Sequence, residues 1–281
     1  MFIEFLTSII KYRCDQYELV DEISTLYMGD SHIMTSLNDS TNKETKNVSS
    51  YAESYYYTFY KLKLLNKNNN INKVLLGFDY HNLAHYNDDF VSGNLSSLMA
   101  DNYFFALPLI EKIKILYFNQ TKLITFCKNI FQTANQQLKN IVTSRTCLFQ
   151  GFSNQAYSTK LNHLSCKKRI EVQFFTQNGN IIKEFNNKYS KFNLNFLNKI
   201  VNYCKDNNIE LILFSAPLSE FYINLIPKPI LIKHDNLVNK YNLKHLNFNN
   251  LLNEDTLFMP DGDHVNNYGA LITTNSLLKV L

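Results

Sequence analysis

The amino-acid sequence predicts an α/β fold in which helices cover both faces of a parallel sheet. Short, mainly apolar runs occur at 23–28, 74–78 and 209–214, and each leads into glycine or polar residues. Such runs suit strands that are buried on both faces, as in parallel sheets. The segments between them carry apolar residues at helical spacing, and strands that alternate with helices form a parallel sheet. We therefore predict a three-layer α/β/α sandwich with five parallel strands.

The predicted elements follow one another within a single domain that spans 1–281. The strands are expected in the flavodoxin-like order, in which ligands bind beyond the carboxyl ends of the strands. In chain order, the elements are a helix with a connector at 1–22, a strand at 23–28, a helical turn at 33–37, an exposed polar loop at 38–46, a strand end at 47–50, a helix at 51–65, a strand at 74–78, a helix at 194–204, a strand at 209–214, a helix at 230–241, a short strand at 243–248 and a C-terminal helix from 266.

Two insertions are predicted between the third and fourth strands. Apolar residues at helical spacing predict a helical segment at about 103–142. Strand patterns at 170–174 and 181–182, with Asn178-Gly179 between them, predict a hairpin-like segment at about 146–190. Asn-Gly between two apolar runs is a strong hairpin signal, because both residues accept the positive φ angles of a tight turn.

Composition limits the classes of function. Apolar residues make up 45% of the 281 residues, which is enough for a sizeable core, and the net charge is only +4. Because the lysines and arginines are dispersed among asparagines, we predict no nucleic-acid partner. The five cysteines are widely spaced, so neither a zinc site nor a disulfide framework is indicated. We predict no cofactor, because no phosphate-cradling glycine motif occurs among the seven glycines.

The sequence also gives expectations about location. The apolar run at 1–10 is interrupted by Glu4, has no basic residue before it and no small-residue cleavage site after it. It is therefore a poor signal peptide. No apolar stretch reaches the roughly 18 residues that a membrane span needs, so we predict no transmembrane segment. We expect a cytoplasmic protein.

A Gly-Asp-Ser sequence closes the first predicted strand. Gly29 lets the backbone turn sharply, and Ser31 then lies at the rim of the sheet and at a helix N-terminus. Backbone amides at such a terminus point outward and favour a developing negative charge. Ser31 is therefore a candidate nucleophile, although the same tripeptide also suits a simple turn with an N-cap.

A second motif lies near the C-terminus, where Asp261 precedes His264 by three residues in a loop marked by Pro260 and Gly262. A serine hydroxyl needs a base to take its proton. The base in turn needs a carboxylate that fixes its tautomer and stabilises the imidazolium. An Asp-x-x-His loop supplies both groups in one element. Together with the early serine, it is much more specific than either motif alone.

With these two motifs in this order, the chain resembles the SGNH, or GDSL-type, hydrolase superfamily. The resemblance implies that Ser31 is the nucleophile, His264 the base and Asp261 its orienting partner. It also implies a serine-dependent ester hydrolase or O-acyltransferase, since proteins of this type often act on acyl esters of sugars and polysaccharides as deacetylases or acetyltransferases. The expected substrate is a small acyl ester or an acetylated glycan.

The family's oxyanion hole combines the nucleophile's own amide, a glycine amide after the second strand and an asparagine side chain after the third. Here a Ser-Ser pair ending at Ser50 replaces the glycine, and Asp79 stands where the asparagine is expected. The resemblance then implies donation from the amides of Ser31 and Ser50 and from the side chain of Asn82 or His81. An ionised Asp79 would repel an oxyanion, so either Asp79 points away or acyl transfer is impaired.

Three side chains beside these motifs leave alternatives open. His32 either packs beside the turn or tunes Ser31 and contacts substrate, and Asp79 is a further possible substrate contact. Asp263 either faces solvent, as we expect, or exchanges roles with Asp261. His32 and Asp263 lie within the two motif segments, and Asp79 follows the third predicted strand.

The remaining alternatives concern metal binding and activity. His81 and His85 have a spacing that suits a metal ion, but no carboxylate or cysteine pattern supports one, so we predict no metal. The alternative function is a catalytically inactive domain of the same type. Such a domain would bind a glycan or scaffold the assembly of envelope polysaccharide.

Overall fold

The computed structural model describes residues 19, 22–93, 95–96, 103–104, 107–128, 151–154, 159–176 and 184–281. Its strands are β1 (Thr25–Met28), β2 (Thr45–Asn47), β3 (Lys73–Gly77), β4 (Glu210–Ser215) and β5 (His245–Asn247). They form one sheet of five strands in the order β2-β1-β3-β4-β5, and every neighbouring pair is parallel. The predicted α/β class and strand order are confirmed.

Helices lie between these strands and after the last one. They are α1 (Ser31–Ser36), α2 (Tyr55–Asn68), α3 (Asp89–Ser92), α4 (Leu109–Phe118), α5 (His163–Phe174), α6 (Lys191–Asp206), α7 (Glu220–Ile223), α8 (Lys228–Tyr241) and α9 (Asn267–Leu278). Short 3₁₀ turns occur at Asp39–Thr41, Tyr80–Leu83, His85–Asp88, Gln120–Lys122 and Asp255–Leu257. In the described part of the chain, no helix has the length and apolar character needed to cross a membrane.

Alternate residues of each strand point to opposite faces of the sheet, and each face has its own helical layer. Leu26 and Met28 of β1 pack in a core with residues of α2 and α6. Tyr27 between them packs in a second core with α1 and α9, together with Leu75 of β3 and Phe214 of β4. Both faces of the sheet are thus closed by helices, which gives the predicted three layers.

The segment 170–174, predicted as a strand, is the last part of helix α5. Asn162 caps this helix, because its side chain accepts a hydrogen bond from the amide of the third helical residue at 3.0 Å. Ile170 and Phe174 lie four residues apart and are buried, while Val172 between them is exposed. The alternation of apolar residues resembles a strand, but only the pair at helical spacing is buried.

Antiparallel pairing does flank the predicted hairpin turn. Phe175 and Phe185 form an isolated antiparallel bridge, and the amide of Thr176 donates to the carbonyl of Glu184 at 2.9 Å. The predicted turn and the pattern at 181–182 lie outside the described residues. The antiparallel pairing therefore starts after α5 rather than within it.

Other predicted boundaries change as well. β2 begins inside the stretch 38–46 that the sequence predicts as a loop, because this edge strand pairs through its backbone and needs no apolar side chains. Helix α4 lies within the predicted helical insertion, whose part from 129 to 142 lies outside the described residues. The helix predicted at 1–22 also lies outside them, apart from residues 19 and 22.

Candidate active site

Ser31 lies at the carboxyl edge of the sheet because the chain turns sharply after β1. Gly29 has a φ of +150°, and a Cβ atom at this position would lie 2.8 Å from Cγ1 of Ile33. Asp30 then caps α1, since its Oδ1 accepts a hydrogen bond from the amide of His32 at 3.0 Å. Ser31 is consequently the first residue of the helix, and it is 7% exposed.

The Asp-x-x-His loop is shaped by a glycine and by backbone hydrogen bonds. Gly262 has a φ of +75°, and a Cβ atom there would come within 2.7 Å of both Leu161 and Ser219. The amide of Met259 donates to the carbonyl of His264 at 2.8 Å, which closes the loop just before α9. Helix α9 packs against α1, so the loop is held beside the start of α1.

Ser31, His264 and Asp261 come together in this arrangement. The Oγ atom of Ser31 lies 2.7 Å from Nε2 of His264, and Nδ1 of the same ring lies 2.8 Å from Oδ2 of Asp261. Asp261 keeps contact with solvent, because its side chain is 27% exposed. A hydroxyl, a ring that accepts its proton and a carboxylate on the far ring nitrogen are the parts of an activated serine nucleophile.

A second carboxylate, from Asp263, also contacts the His264 ring. Its Oδ1 atom lies 3.1 Å from Nδ1 of His264, while Oδ2 accepts hydrogen bonds from Arg169 at 2.7 Å and from Gln173 at 2.8 Å. The prediction that Asp263 faces solvent is wrong, since its side chain is fully buried. Burial raises the pKa of Asp263, but the charges of Arg169 and His264 outweigh burial and hold it well below its usual range.

Helix α5 supplies two donors to Asp263, Arg169 and Gln173. Arg169 and Gln173 are four residues apart, so they lie one helical turn from each other. They are not apparent from the sequence, because the segment 170–174 that follows Arg169 is predicted as a strand, in which residues four apart are separated by about 13 Å. A helix assigned to this segment would have been the signal that a cation and an amide stand together.

His32 is fully buried between two carboxylates. Its Nδ1 atom lies 3.1 Å from Oδ2 of Asp79, and its Nε2 atom lies 3.3 Å from Oδ2 of Asp263. Burial lowers the pKa of His32, but the hydrogen bonds and charges of Asp263 and Asp79 raise it to about 10. His32 is therefore an imidazolium at neutral pH. Because no part of its side chain is exposed, it is not placed to contact substrate, which corrects that prediction.

Asp79 directs its carboxylate into the protein. Its Oδ1 atom accepts a hydrogen bond from the amide of Ala216 at 3.0 Å, and Oδ2 faces His32. The residue is fully buried, so it is not placed to contact substrate either. Its negative charge is paired with His32, which offsets the repulsion that an ionised carboxylate would exert on an oxyanion.

His81 and Asn82, two expected oxyanion donors, both hydrogen-bond to Asp30. The Nε2 atom of His81 lies 2.6 Å from Oδ2 of Asp30, and the Asn82 amide donates to the same oxygen at 2.7 Å. Burial and the charge of His32 lower the pKa of His81, which favours the neutral ring. Its Nε2–H group then donates to Asp30. His81 is thus committed to this contact, whereas the Asn82 amide carries a second proton.

The amide of Ser50, the remaining expected donor, belongs to the sheet. It donates to the carbonyl of Gly29 at 3.2 Å and extends the ladder between β1 and β2, in which Val48 donates to Tyr27 at 2.9 Å. The hydroxyl of Ser50 accepts a hydrogen bond from Tyr103 at 3.1 Å. The Ser50 amide is therefore occupied by the sheet, which corrects its predicted role in the oxyanion hole.

A second serine–histidine contact occurs at the end of β4. The Oγ atom of Ser215 lies 2.9 Å from Nε2 of His245, but the same hydroxyl donates to the carbonyl of Phe78 at 2.6 Å. Ser215 is fully buried, and burial together with the charge of His234 lowers the pKa of His245. This pair connects Phe78 after β3, the last residue of β4 and the first residue of β5, and is a structural contact.

Two groups of three side chains bring potential metal-ligand atoms within 4.8 Å of one another: His32, Asp263 and His264, and His32, Asp79 and His81. Both groups contain His32, whose two ring nitrogens already face carboxylates as those of an imidazolium do. A metal ion would have to displace that proton and, in the first group, occupy the base as well. His85 of the predicted pair instead lies 3.3 Å from Asp88.

Comparisons with known proteins leave the function to be argued from this geometry. No protein-family model matches the chain, and no curated protein matches it significantly. The arrangement of Ser31, His264 and the two carboxylates of the loop is therefore the basis for any statement about chemistry.

Proposed function

We propose that the chain is a serine-dependent ester hydrolase or O-acyltransferase of the SGNH/GDSL type. The contact of Ser31 with His264 at 2.7 Å, backed by Asp261 on the other ring nitrogen at 2.8 Å, carries the proposal. The serine and the base are 233 positions apart in the sequence, yet the fold brings their side chains together. The serine follows the first strand and the loop precedes the last helix, which is the order that the resemblance implies.

In this proposal the reaction proceeds through an acyl-enzyme. Ser31 Oγ attacks the ester carbonyl carbon while His264 Nε2 takes the hydroxyl proton, and Asp261 stabilises the imidazolium that forms. The tetrahedral intermediate collapses as the ester C–O bond breaks, and His264 gives its proton to the leaving oxygen. Water or a sugar hydroxyl then attacks the acyl group with His264 as base, which regenerates Ser31 and releases an acid or a new ester.

Two donors support the oxyanion in this mechanism. The amide of Ser31 belongs to the first helical residue, which has no acceptor within its own helix. Asn82 carries a second amide proton beyond its bond to Asp30. The nitrogen also lies 3.2 Å from Nε2 of His81, which cannot accept this proton while it donates to Asp30. The imidazolium of His32 adds positive charge next to the nucleophile in the chain. A single oxyanion donor typically contributes about 10²–10³-fold to the rate of acyl transfer.

We further propose a short acyl ester of a carbohydrate as the substrate. The resemblance supports this part, since proteins of this type act on acylated sugars and polysaccharides. Ser31 and His264 are each 7% exposed, so the reacting atoms lie below the surface. A compact acyl group such as acetyl suits that depth.

A second candidate is a catalytically inactive domain that binds a glycan or scaffolds envelope-polysaccharide assembly. Two of the expected oxyanion donors are already hydrogen-bonded within the protein, which favours this candidate. The amide of Ser50 donates within the sheet, and Nε2 of His81 contacts Asp30. A site with a nucleophile but too few oxyanion donors would retain a ligand without converting it.

Turnover of p-nitrophenyl acetate and labelling by a fluorophosphonate distinguish the two candidates. We expect the wild-type protein to hydrolyse the ester and to be labelled at Ser31, as located by mass spectrometry. Ser31→Ala should lose both signals, while Asp235→Asn, which removes a carboxylate that is 73% exposed, should keep both. Wild-type protein with neither turnover nor labelling would reject the enzyme, and its binding of acetylated polysaccharide would then test the second candidate.

A further inference from the structure

We propose that Asp263 is a second carboxylate partner of His264 and that the ring of His32 holds it in place. Both are positioning residues, because both are buried and act on the reaction through His264. These roles rest on the proposed function, since they belong to the same site. The observation that carries them is that two carboxylates face one atom, with Asp261 at 2.8 Å and Asp263 at 3.1 Å from Nδ1 of His264.

The two carboxylates differ in their surroundings. Asp261 is 27% exposed, so water screens its charge, whereas the side chain of Asp263 has no exposure. Charges interact several times more strongly in the protein interior than in water. Asp261 makes the shorter contact and fixes the tautomer of the ring. The buried carboxylate of Asp263 supplies more of the field that stabilises the imidazolium form of His264.

Asp263 keeps its position because groups from two helices hold it. Arg169 and Gln173 of α5 donate to its Oδ2 atom at 2.7 Å and 2.8 Å, and His32 of α1 lies 3.3 Å from the same atom. The carboxylate cannot rotate without losing these contacts. Its other oxygen, Oδ1, makes no hydrogen bond within the part of the chain that the structure describes, and it lies 3.1 Å from Nδ1 of His264.

His32 allows this concentration of carboxylates inside the protein. Its ring lies 3.3 Å from Asp263 and 3.1 Å from Asp79, and its centroid is 3.9 Å from that of His81 and 4.8 Å from that of His264. The ring of His32 therefore separates two buried carboxylates and contacts both of them. Because His32 directly follows the nucleophile in α1, the cation and the nucleophile are fixed by the same helical turn.

The charged and titratable groups that surround His264 come from three elements. They are Ser31 and His32 of α1, Asp261 and Asp263 of the loop, and Arg169 of α5, which acts through Asp263. Removing a carboxylate from this set disfavours the charged form of His264, and removing a cation favours it. Loss of Asp263 should therefore lower the pKa of His264, and loss of Arg169 should raise it.

The pH dependence of p-nitrophenyl acetate hydrolysis tests these roles. For Asp263→Asn we expect kcat to fall about 10- to 100-fold, less than the ~10⁴-fold loss that follows removal of a sole triad carboxylate. We expect KM to change less than about twofold, because the ground state does not use this charge. The acid limb of kcat/KM should move to lower pH, since His264 then holds its proton less tightly. Asp235→Asn is the control and should match wild type.

A kcat and an acid limb that both match wild type, in a folded Asp263→Asn protein, would overturn the proposal. If this variant does not fold, Arg169→Gln takes its place, because Arg169 has a partly exposed side chain. The acid limb should then move to higher pH. An unmoved limb in Arg169→Gln would overturn the proposal as well.

A measurement without turnover separates these roles from the proposed function. If the wild-type protein hydrolyses no ester, the proposed function fails, but NMR of the histidine rings still reports the protonation of His264. Its resonance is identified by its loss in His264→Gln. We expect a lower pKa for His264 in Asp263→Asn than in wild type. Equal values in the two proteins would overturn the positioning role whether or not the protein is an enzyme.

Discussion

Ser31 and Ser215 both stand at the carboxyl edge of the sheet, and each hydroxyl contacts a histidine ring. The distance is 2.7 Å from Ser31 to His264 and 2.9 Å from Ser215 to His245. The two pairs differ in what surrounds them. Two carboxylates face the outer nitrogen of His264, whereas the hydroxyl of Ser215 donates to a backbone carbonyl at 2.6 Å.

The difference shows what a serine needs besides a nearby histidine. A hydroxyl that already donates to a carbonyl does not pass its proton to a base, and burial lowers the pKa of His245, which makes it a weak acceptor. Burial also lowers the pKa of His264, but Asp263 and Asp261 outweigh burial and raise it. The Ser215 pair is therefore a matched control for the Ser31 pair in the same molecule.

The largest expected difference between the two pairs is in catalysis. Ser31→Ala and His264→Gln should each reduce kcat for p-nitrophenyl acetate by about 10³-fold or more, because each removes a group that acts in the transition state. Ser215→Ala and His245→Gln should stay within about twofold of wild type. Circular dichroism confirms that each variant is folded. Similar losses in both pairs would refute the distinction between them.

The next effect concerns the charge of His32 and appears in stability. Its folded pKa of about 10 exceeds the ordinary value of 6.5, so its stabilising contribution is complete below pH 6.5 and is lost as the pH rises toward 10. From this group alone, the free energy of unfolding should fall by about 1.4 kcal/mol per pH unit in that range. Urea unfolding at pH 7, 8 and 9 measures the slope.

Two variants separate His32 from other contributions to this slope. His32→Gln should flatten it, because the group that loses its proton is gone. His163→Gln, at an exposed position, should keep the wild-type slope. A wild-type free energy of unfolding that stays constant between pH 7 and 9 would contradict the positive charge assigned to His32.

A smaller effect is expected in the pH dependence of the activity that we assign to Ser31 and His264. His264 must be neutral to act as a base, and its pKa is raised above 6.5. Below that raised pKa, kcat/KM should fall about tenfold per pH unit. His245→Gln should leave the curve unmoved. An acid limb that lies at or below pH 6.5 would argue against the influence of the two carboxylates on His264.

The fold is predictable from the sequence where the apolar pattern and the observed burial agree. β1, β3 and β4 are mainly apolar, and after its first residue each strand is buried on both faces of the sheet. The sequence predicts only the end of β2, at 47–50, because Thr45–Asn47 is polar and pairs through its backbone at the sheet edge. The C-terminal part of helix α5 is not predicted, because apolar residues alternate around Val172 as they do in a strand. Tertiary packing decides which of these apolar residues are buried.

The candidate site, too, is predictable from the sequence only in part. Both motifs are local, so the chain itself creates the turn before Ser31 and the loop between Asp261 and His264. The charges around them are not local, because Arg169 and Asp79 reach the site only after the sheet and its helices are assembled. No short-range pattern connects such residues, so the buried cations of the site are not predictable from the sequence.

The smallest expected effect is in stability. Here Ser215→Ala should cost more than Ser31→Ala, which reverses the order expected for activity. Ser215→Ala removes a buried hydroxyl that donates to Phe78 and contacts His245, and one such hydrogen bond contributes about 1 kcal/mol. We expect its free energy of unfolding to fall by about that amount, as measured by urea unfolding at pH 7. Ser31→Ala should lose less, since His264 keeps its contacts with two carboxylates and catalytic groups are seldom optimised for stability. A Ser215→Ala protein as stable as wild type would mean that this pair does not hold the strand ends together.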